Sequence, residues 1–218
     1  MSTIPTLITE KIYDYLIDNF SRDDQLLSDL IKKSEELDFP QIHISPLQAS
    51  FLQMMIKTIK ARYIMEFGSL AGYSTISMAR VLPKNGSLIA LEIEPEYASF
   101  IKDRAREAGL DHIIQVENVN ALDYLDTFSP EFELDLVFID ADKQNYLNYA
   151  KKIAPFIRKG GLMIADNALG FGFIADEEPE EAEEVIPIRE FNKWFFNNPD
   201  FFVSFATIGD GLLMGVKQ

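Results

Sequence analysis

Short apolar runs alternate with amphipathic stretches along most of the chain. The apolar runs cover residues 63–67, 88–91, 113–116, 134–139 and 161–165. Runs of this length and continuity are typical of strands that are covered on both faces of a sheet. Helix-like segments at about 72–81, 95–108, 121–128 and 145–157 separate them. The alternation predicts a doubly wound α/β fold with a mostly parallel sheet.

The first part of the chain departs from this alternation. Before the first strand, the pattern predicts helices over residues 6–20, 24–37 and 46–60. We therefore expect residues 1–60 to form a helical preamble to an α/β core at 61–218. The whole chain, 1–218, is expected to be a single domain.

The last part of the chain predicts an edge of the sheet. After a helix at about 186–197, apolar runs at 201–207 and 212–216 are joined through Gly209-Asp210, a pair suited to a tight turn. An antiparallel hairpin is the expected result. The acidic run at 176–184 is expected to be a solvated loop.

Composition and charge narrow the function classes. Of 218 residues, 47% are apolar and 25% charged, as in an average globular domain. The chain has no cysteine, which excludes disulfide scaffolds, thiol catalysis and thiolate metal sites. Its 20 Lys and Arg against 35 Asp and Glu give a net charge of −15, which disfavours nucleic acid and membrane partners. Since we find no signal segment and no membrane-length apolar span, we expect a small-molecule partner and a cytoplasmic location.

The first predicted strand ends in a glycine-containing turn, Glu66-Phe67-Gly68-Ser69-Leu70-Ala71-Gly72-Tyr73-Ser74. Ligands of open parallel sheets bind beyond the carboxyl ends of the strands, so a ligand is expected here. Gly68 and Gly72 leave room for a sharp turn or a close approach, and Ser74 can reach a ligand or cap the next helix. The spacing is not G-x-G-x-x-G, and Glu66 has the wrong charge for a pyrophosphate. A cationic ligand fits better.

The second predicted strand ends at Glu92, where an acidic side chain can accept both ribose hydroxyls of an adenosine. Glu94 is a rival for this role. A nucleoside with a positively charged substituent would satisfy both Glu66 and Glu92, and S-adenosylmethionine is the common cofactor of that description. The alternative is that the glycines only form a turn and the glutamates are solvated.

Oxygen-bearing side chains follow the fourth and fifth predicted strands. Asp140 ends the fourth and Asp166-Asn167 the fifth, and parallel strands bring these ends to the same edge of the sheet. Two carboxylates and an amide suit Mg²⁺, Mn²⁺ or Ca²⁺, whereas a chain with two histidines and no cysteine is a poor candidate for zinc or copper. A divalent ion could acidify a substrate hydroxyl, and Lys143 is near enough to accept its proton. Alone, Asp140 and Asp142 are explained by capping of the next helix and Lys143 by a solvated charge, but together with the Asp166-Asn167 pair they favour a site.

In this order, the motifs resemble the cation-dependent, S-adenosylmethionine-dependent O-methyltransferases, the family that contains the caffeoyl-CoA and catechol O-methyltransferases. The resemblance runs from about residue 42 to the C-terminus and rests on Ile44-Ser45-Pro46, Glu66-Phe67-Gly68, Gly72-Tyr73-Ser74, Ala90-Leu91-Glu92, Asn120-Ala121, Phe138-Ile139-Asp140-Ala141-Asp142-Lys143, Asp166-Asn167, Arg189-Glu190-Phe191-Asn192 and Ile208-Gly209-Asp210-Gly211. It implies a Rossmann-like class I methyltransferase fold whose seven strands have the order 3-2-1-4-5-7-6, with the last strand antiparallel. It also implies a homodimer.

The resemblance further implies a role for each matching residue. The cofactor would be contacted by Ile44, Glu66, Gly68, Tyr73, Ser74, Glu92, Ala121 and Asp140. The metal would be held by Asp140, Asp166 and Asn167, and Lys143 would be the catalytic base beside Asp140. The substrate would be contacted by Ser45, Lys143, Asn167 and Arg189. Residues 170–185 match no pattern of the family, which leaves the acceptor open.

The implied reaction is methyl transfer from S-adenosylmethionine to a hydroxyl of a catechol-like small molecule or its coenzyme A ester, with Mg²⁺ or a similar cation bound. Two other functions stay open. One is an NAD(P)-dependent oxidoreductase on a similar sheet, which Glu66 and the missing G-x-G-x-x-G spacing disfavour. The other is a non-catalytic nucleoside-binding module.

Overall fold

The protein folds into one seven-stranded sheet with helices on both faces, seen in a computed structural model that describes residues 6–218. The helices are α1 (Glu10–Phe20), α2 (Gln25–Glu36), α3 (Pro46–Ile59), α4 (Tyr73–Ala79), α5 (Pro95–Glu107), α6 (Ala121–Thr127), α7 (Tyr146–Ile153) and α8 (Ala182–Phe196). The strands are β1 (Tyr63–Phe67), β2 (Ser87–Glu92), β3 (Ile114–Asn118), β4 (Leu134–Ile139), β5 (Ile157–Ala165), β6 (Phe201–Ala206) and β7 (Leu212–Lys217).

The strand order is β3-β2-β1-β4-β5-β7-β6, which confirms the predicted topology. The strands β1 to β5 pair in parallel, whereas β7 runs antiparallel to both β5 and β6. The predicted hairpin at 201–216 is therefore confirmed as the edge of the sheet. The strand order reverses at β1, since β2 and β3 follow on one side of it and the chain then crosses to β4 on the other side. The ends of β1, β2 and β4 therefore form the crevice where such sheets bind ligands.

The sheet has a hydrophobic core on each face. On one face, Leu30 of α2 and Leu52 of α3 belong to a buried cluster that also includes residues of α4 and α5. On the other face, Tyr149 of α7 and Phe195 of α8 belong to a second buried cluster. Covering both faces explains why the strands read as continuous apolar runs rather than as alternating ones.

Two helices begin several residues away from their predicted starts. Helix α1 begins at Glu10 because the Thr9 side chain accepts a hydrogen bond from Ile12 N and caps it there. Helix α8 begins at Ala182, so the last part of the acidic run is helical and not a loop as predicted. The physical reason is that Glu183 and Glu184 lie in the first turn, where carboxylates favour the positive end of the helix dipole.

Helix α1 is the least covered element of the fold. None of its residues is buried, and Tyr15 and Phe20 are 59% and 56% exposed. The homodimer that the resemblance implies could cover these side chains, and it stays a prediction. Within residues 6–218, no helix is long and apolar enough to cross a bilayer.

Candidate active site

A cavity of about 510 Å³ lies at the carboxyl ends of the central strands, within the size range of small-molecule sites. Nine of the predicted site residues line it, namely Ile44, Gly68, Tyr73, Ser74, Glu92, Ala121, Asp140, Lys143 and Asn167. Two more, Glu66 and Asp166, lie behind its wall and are 0% and 4% exposed. Most of the residues that the sequence singles out for chemistry therefore lie together around one cavity.

The glycine turn after β1 connects three strand ends. Gly68 adopts a φ of +79°, and its N–H donates to the carbonyl of Leu91 at the end of β2 over 3.1 Å. The N–H of Asp140, just after β4, donates to the carbonyl of Phe67 over 2.9 Å. The turn is thus fixed between β2 and β4, directly under the cavity.

The carboxylate of Glu92 holds this turn in place. Its Oε2 accepts from the backbone N–H groups of Ser69 and Leu70 at 3.2 and 2.7 Å, and its Oε1 accepts from Glu94 N at 2.9 Å. Glu92 is 6% exposed and lines the cavity, whereas the predicted rival Glu94 is an exposed residue before α5 that does not. Glu92 is therefore the better placed acid at the end of β2.

Glu66 is a carboxylate enclosed by hydroxyl groups. It lies on the same face of β1 as Ile64, opposite Ala90 of β2 and Phe138 of β4, which places it inside the hydrophobic core. Three hydroxyls donate to it, those of Ser69, Ser74 and Thr75. Burial nevertheless raises the pKa of Glu66 to about 7, because three neutral donors only partly replace water.

Tyr73 connects the cavity with the first helices. Its hydroxyl donates to Asp23, in the connection between α1 and α2, over 2.6 Å. On the other side its ring faces the ring of His43, with centroids 5.0 Å apart. Burial and the hydrogen bond to Asp23 raise the pKa of Tyr73 far above its ordinary value, so the hydroxyl stays protonated. The predicted preamble therefore contributes directly to the wall of the cavity.

Asp140 and Asp166 are neighbours across two strand ends. The N–H of Asp166 donates to the carbonyl of Ile139 over 3.0 Å, which continues the ladder of β4 and β5 one residue beyond the strands. Burial, and next the charge of Asp140, raises the pKa of Asp166 to about 7. Gln48 of α3 donates its amide to both oxygens of Asp166 at 2.9 Å. Two carboxylates are thus held together although their charges repel, which a bound cation would relieve.

The third predicted metal ligand, Asn167, follows with its amide held in place. Its backbone has a φ of +55°, and its Nδ2 donates to Asp210 Oδ2 over 3.2 Å. The Oδ1 is thereby turned away from that carboxylate. Among residues 6–218, no three His, Cys, Asp or Glu side chains converge on a metal-sized position, so the candidate set is two carboxylates and one amide. These hard oxygen donors fit Mg²⁺, Mn²⁺ or Ca²⁺.

Lys143 lies beside this set on the cavity wall. Its Nζ is 3.0 Å from Asp140 Oδ1 and 2.8 Å from the hydroxyl of Tyr146. Tyr146 is fully buried, which raises the pKa of its hydroxyl well above the ordinary value. The Lys143 amine therefore lies between the Asp140 carboxylate and the Tyr146 hydroxyl, which stays protonated.

Two predicted substrate contacts are placed elsewhere by the structure. Ser45 caps α3, where its hydroxyl accepts from Gln48 N at 3.2 Å, and it does not line the cavity. Arg189 donates to the carbonyls of Ile174, Phe173 and Asp176, so its guanidinium holds the segment before α8. The physical reason is that a loop with unpaired carbonyls needs donors, and Arg189 supplies several in a fixed geometry.

Sequence reasoning missed four residues that support the site: His43, Gln48, Tyr146 and Asp210. Asp210 stands in a turn motif that the sequence singles out, but the motif gave it no role in the site. Gln48 also had a readable signal, since Ser45-Pro46-Leu47-Gln48 has the S-x-x-Q pattern of a capping box, and the structure contains that box. The pattern predicts the helix start but not the contact with Asp166, which lies 118 residues further along the chain.

The comparisons with known proteins agree with one another. The O-methyltransferase family model matches residues 18–218. A catechol O-methyltransferase of Niastella koreensis is 38% identical over 187 residues, which cover 85% of this chain and 84% of that protein. Caffeoyl-CoA O-methyltransferase 2 of Petunia hybrida is 28% identical over 95% of this chain and 90% of that protein. The crystal structure of the O-methyltransferase from Bacillus cereus in complex with SAH is 29% identical, with a TM-score of 0.89 over 95% of this chain and 97% of that one.

Proposed function

Because the chain belongs to the family of S-adenosylmethionine-dependent O-methyltransferases, we propose that it methylates a hydroxyl of a small catechol-like molecule with the help of a divalent cation. The observation that carries the proposal is the pair Asp140 and Asp166 at the ends of neighbouring strands, of which Asp140 lines the cavity beside Lys143 and Asp166 lies directly behind the wall. A nucleotide-binding module has no need of such a pair.

The cofactor end of the cavity is built for a cationic nucleoside. We assign the ribose to Glu92, the methionine part to Gly68 and Ser74, and the adenine to the neighbourhood of Ala121. The negative charge of Glu92 at the wall and of Glu66 behind it complements a positively charged ligand. S-adenosylmethionine would supply a methyl group on a sulfonium, from which the neutral thioether is a good leaving group.

The acceptor end contains the oxygen donors. Asp140, Asp166 and the Oδ1 of Asn167 would hold the cation, with Gln48 keeping the Asp166 carboxylate in position. A divalent cation supplies the positive charge that lowers the pKa of a neighbouring hydroxyl. Asp140 belongs to both ends of the cavity, because it follows β4 directly beside the glycine turn.

Lys143 handles the proton. In its neutral form, Nζ accepts the proton that the acceptor hydroxyl loses, and the Tyr146 hydroxyl at 2.8 Å keeps the amine oriented. In the transfer, a bond forms between the acceptor oxygen and the methyl carbon while the bond from that carbon to sulfur breaks. Opposite charges disappear in this step, so a partly enclosed, apolar-lined cavity favours it.

The charges around the cavity favour a small, uncharged acceptor over a coenzyme A ester. Its wall includes the carboxylates of Glu92, Asp140, Asp142 and Glu184, whereas Lys143 is the one Lys or Arg on it among residues 6–218. A coenzyme A ester carries several phosphate charges and would need basic groups at the mouth. The acidic segment before α8 repels such charges.

Methyl transfer to a panel of catechol, caffeate and caffeoyl-CoA, with Mg²⁺ and with EDTA, tests the proposal. We expect methylation of catechol that EDTA abolishes and that Asp140→Ala and Asp166→Ala reduce by at least about 100-fold. Asp111→Ala, which changes an exposed carboxylate away from the cavity, is the matched control and should act like the wild type. Full activity in EDTA would refute the proposal that methyl transfer needs a divalent cation.

The two other functions are tested in the same preparation. A nicotinamide-dependent enzyme would bind NAD(H) and ignore S-adenosylhomocysteine in calorimetry. A non-catalytic module would bind S-adenosylhomocysteine but methylate no member of the panel with any cation.

A further inference from the structure

The turn between β6 and β7 reaches back to the segment that follows β5. Asp210 lies in this turn, and its Oδ2 accepts two hydrogen bonds, from Asn167 Nδ2 at 3.2 Å and from Phe171 N at 2.8 Å. The backbone adds two more contacts, from Leu169 N to Asp210 O at 2.9 Å and from Ala168 N to Gly211 O at 3.0 Å. The segment 167–171 is therefore attached to the turn along its whole length.

The two residues that share Asp210 Oδ2 have different places in the site. Asn167 is a proposed metal ligand, and Phe171 is a hydrophobic part of the cavity wall. Both have a left-handed backbone, with φ of +55° and +56°, a conformation that asparagine tolerates and that is strained for phenylalanine. A conformation of this kind persists only where its surroundings hold it, and a carboxylate that accepts from both residues is a strong support.

The same turn also packs on Gln48, the side chain that holds the proposed metal ligand Asp166 in position. A Cβ atom at Gly209 would lie 2.3 Å from the amide carbon of Gln48, the side chain that donates to both oxygens of Asp166. Gly209, with a φ of +58°, thus lets the turn pack directly on Gln48. One turn therefore supports Asp166 through Gln48 and Asn167 through Asp210.

We propose that Asp210 is a positioning residue, whose single oxygen fixes the Asn167 amide and the Phe171 backbone together and so couples the cation ligands to the acceptor wall. The inference rests on the proposed function, because the cation itself is part of that proposal. It adds that a change in the β6–β7 turn should alter both the acceptor wall and the cation site.

The test compares Asp210→Ala with Asp210→Asn, since an asparagine keeps an oxygen that can accept from the same two donors. Mn²⁺ affinity is measured by calorimetry with S-adenosylhomocysteine present and no acceptor, and KM for catechol is measured separately. We expect Asp210→Ala to weaken Mn²⁺ binding about 10-fold and to raise KM, and Asp210→Asn to restore most of both. The affinity for S-adenosylhomocysteine should stay within about twofold in both variants, because Asp210 does not line the cavity.

A double-mutant cycle with Asn167→Ala covers the case in which Asp210→Ala is partly unfolded. If Asp210 acts through Asn167, Asp210→Ala has no further effect on Mn²⁺ affinity in the Asn167→Ala background. Additive losses, an unchanged Mn²⁺ affinity in Asp210→Ala, or no recovery in Asp210→Asn would overturn the inference. If the wild type binds no Mn²⁺ and works in EDTA, the proposed cation fails instead, which is a distinct result.

Discussion

Gly68 and Asp140 touch through their backbones: a Cβ atom on residue 68 would lie 2.3 Å from the carbonyl oxygen of Asp140. Real Cβ atoms do not approach an oxygen so closely, so the position admits only glycine. The contact joins the turn that we assign to the methionine part of the cofactor with the aspartate that we assign to the cation. Under the proposed assignments, the absence of one side chain would bring the methyl donor and the acceptor together.

Gly68→Ala should therefore disrupt the site and the fold together. The alanine has to adopt a φ of +79° and also displace the backbone at Asp140, just after β4. We therefore expect the free energy of unfolding to fall by about 2 kcal/mol more than it does for a glycine-to-alanine substitution that causes backbone strain alone. Denaturant unfolding and calorimetry with S-adenosylhomocysteine measure both effects.

Gly109→Ala is the matched control for this prediction. Gly109 has a φ of +66°, but a Cβ there meets nothing within 4 Å. It should lose about 1 kcal/mol and bind S-adenosylhomocysteine like the wild type. Equal losses in the two variants would show that the contact with Asp140 has no importance.

Glu92→Gln should weaken the cofactor complex and leave the chemical step almost unchanged. The carboxylate accepts three backbone hydrogen bonds and lies on the cavity wall, and an amide offers a single uncharged acceptor. We expect the Kd for S-adenosylhomocysteine to rise roughly 10-fold or more, with kcat within about threefold at saturating cofactor.

Glu94→Gln, two residues further on, is the control. Its side chain caps nothing and lies away from the cavity, so cofactor binding should not change. If Glu94→Gln weakened binding more than Glu92→Gln, the ribose assignment would be wrong.

The fold and much of the cavity could be predicted because local patterns carry them. Strand β1 has the bounds that the sequence predicts, since a run of five mostly apolar residues next to a glycine turn is typical of a buried strand. Asp140 and Asp166 could be brought together from sequence because strands that run in parallel necessarily end at the same edge. The strand order came from the resemblance to a family and not from periodicity.

Contacts between distant segments could not be predicted in the same way. Gln48 of α3 and Asp166 after β5 meet although 118 residues separate them in sequence, and no local pattern expresses such a contact. For Arg189 the sequence predicted a contact that the structure does not show. Its motif suggested a substrate contact, whereas its guanidinium donates to backbone carbonyls of a loop. The start of α8 within the acidic run was missed because a run of carboxylates favours both a solvated loop and a helix N-terminus.

Glu66→Gln should stabilise the cofactor-free protein at pH 8 more than at pH 5. The folded-state pKa of Glu66 is raised to about 7 from an ordinary value of 4.5, so protonated Glu66 favours the folded state. Its contribution is fully present below pH 4.5 and is lost as the pH rises to 7, at up to about 1.4 kcal/mol per pH unit. A glutamine does not titrate and keeps a polar group for the hydroxyls of Ser74 and Thr75.

The measurement is denaturant unfolding of both proteins between pH 5 and 8 in EDTA. Asp166 titrates in both, so its effect cancels in the difference. If the difference in unfolding free energy between the two proteins does not grow with pH, ionised Glu66 does not destabilise the folded state. Binding of S-adenosylmethionine should weaken in the same variant more than binding of S-adenosylhomocysteine, since only S-adenosylmethionine carries the sulfonium charge that Glu66 complements in the proposal.

Glu184→Gln tests whether charge at the cavity mouth selects the acceptor. Glu184 lines the cavity from the first turn of α8, and Glu183, which is also exposed and lies one residue before it, does not. Removing the charge should raise kcat/KM for anionic caffeate about two- to threefold and leave kcat/KM for neutral catechol unchanged, because the repulsion acts only on a charged acceptor. The gain should shrink in high salt, since an exposed charge is screened. Glu183→Gln should gain less than Glu184→Gln on caffeate; equal gains would mean that the overall charge of −15, and not this position, repels anionic acceptors.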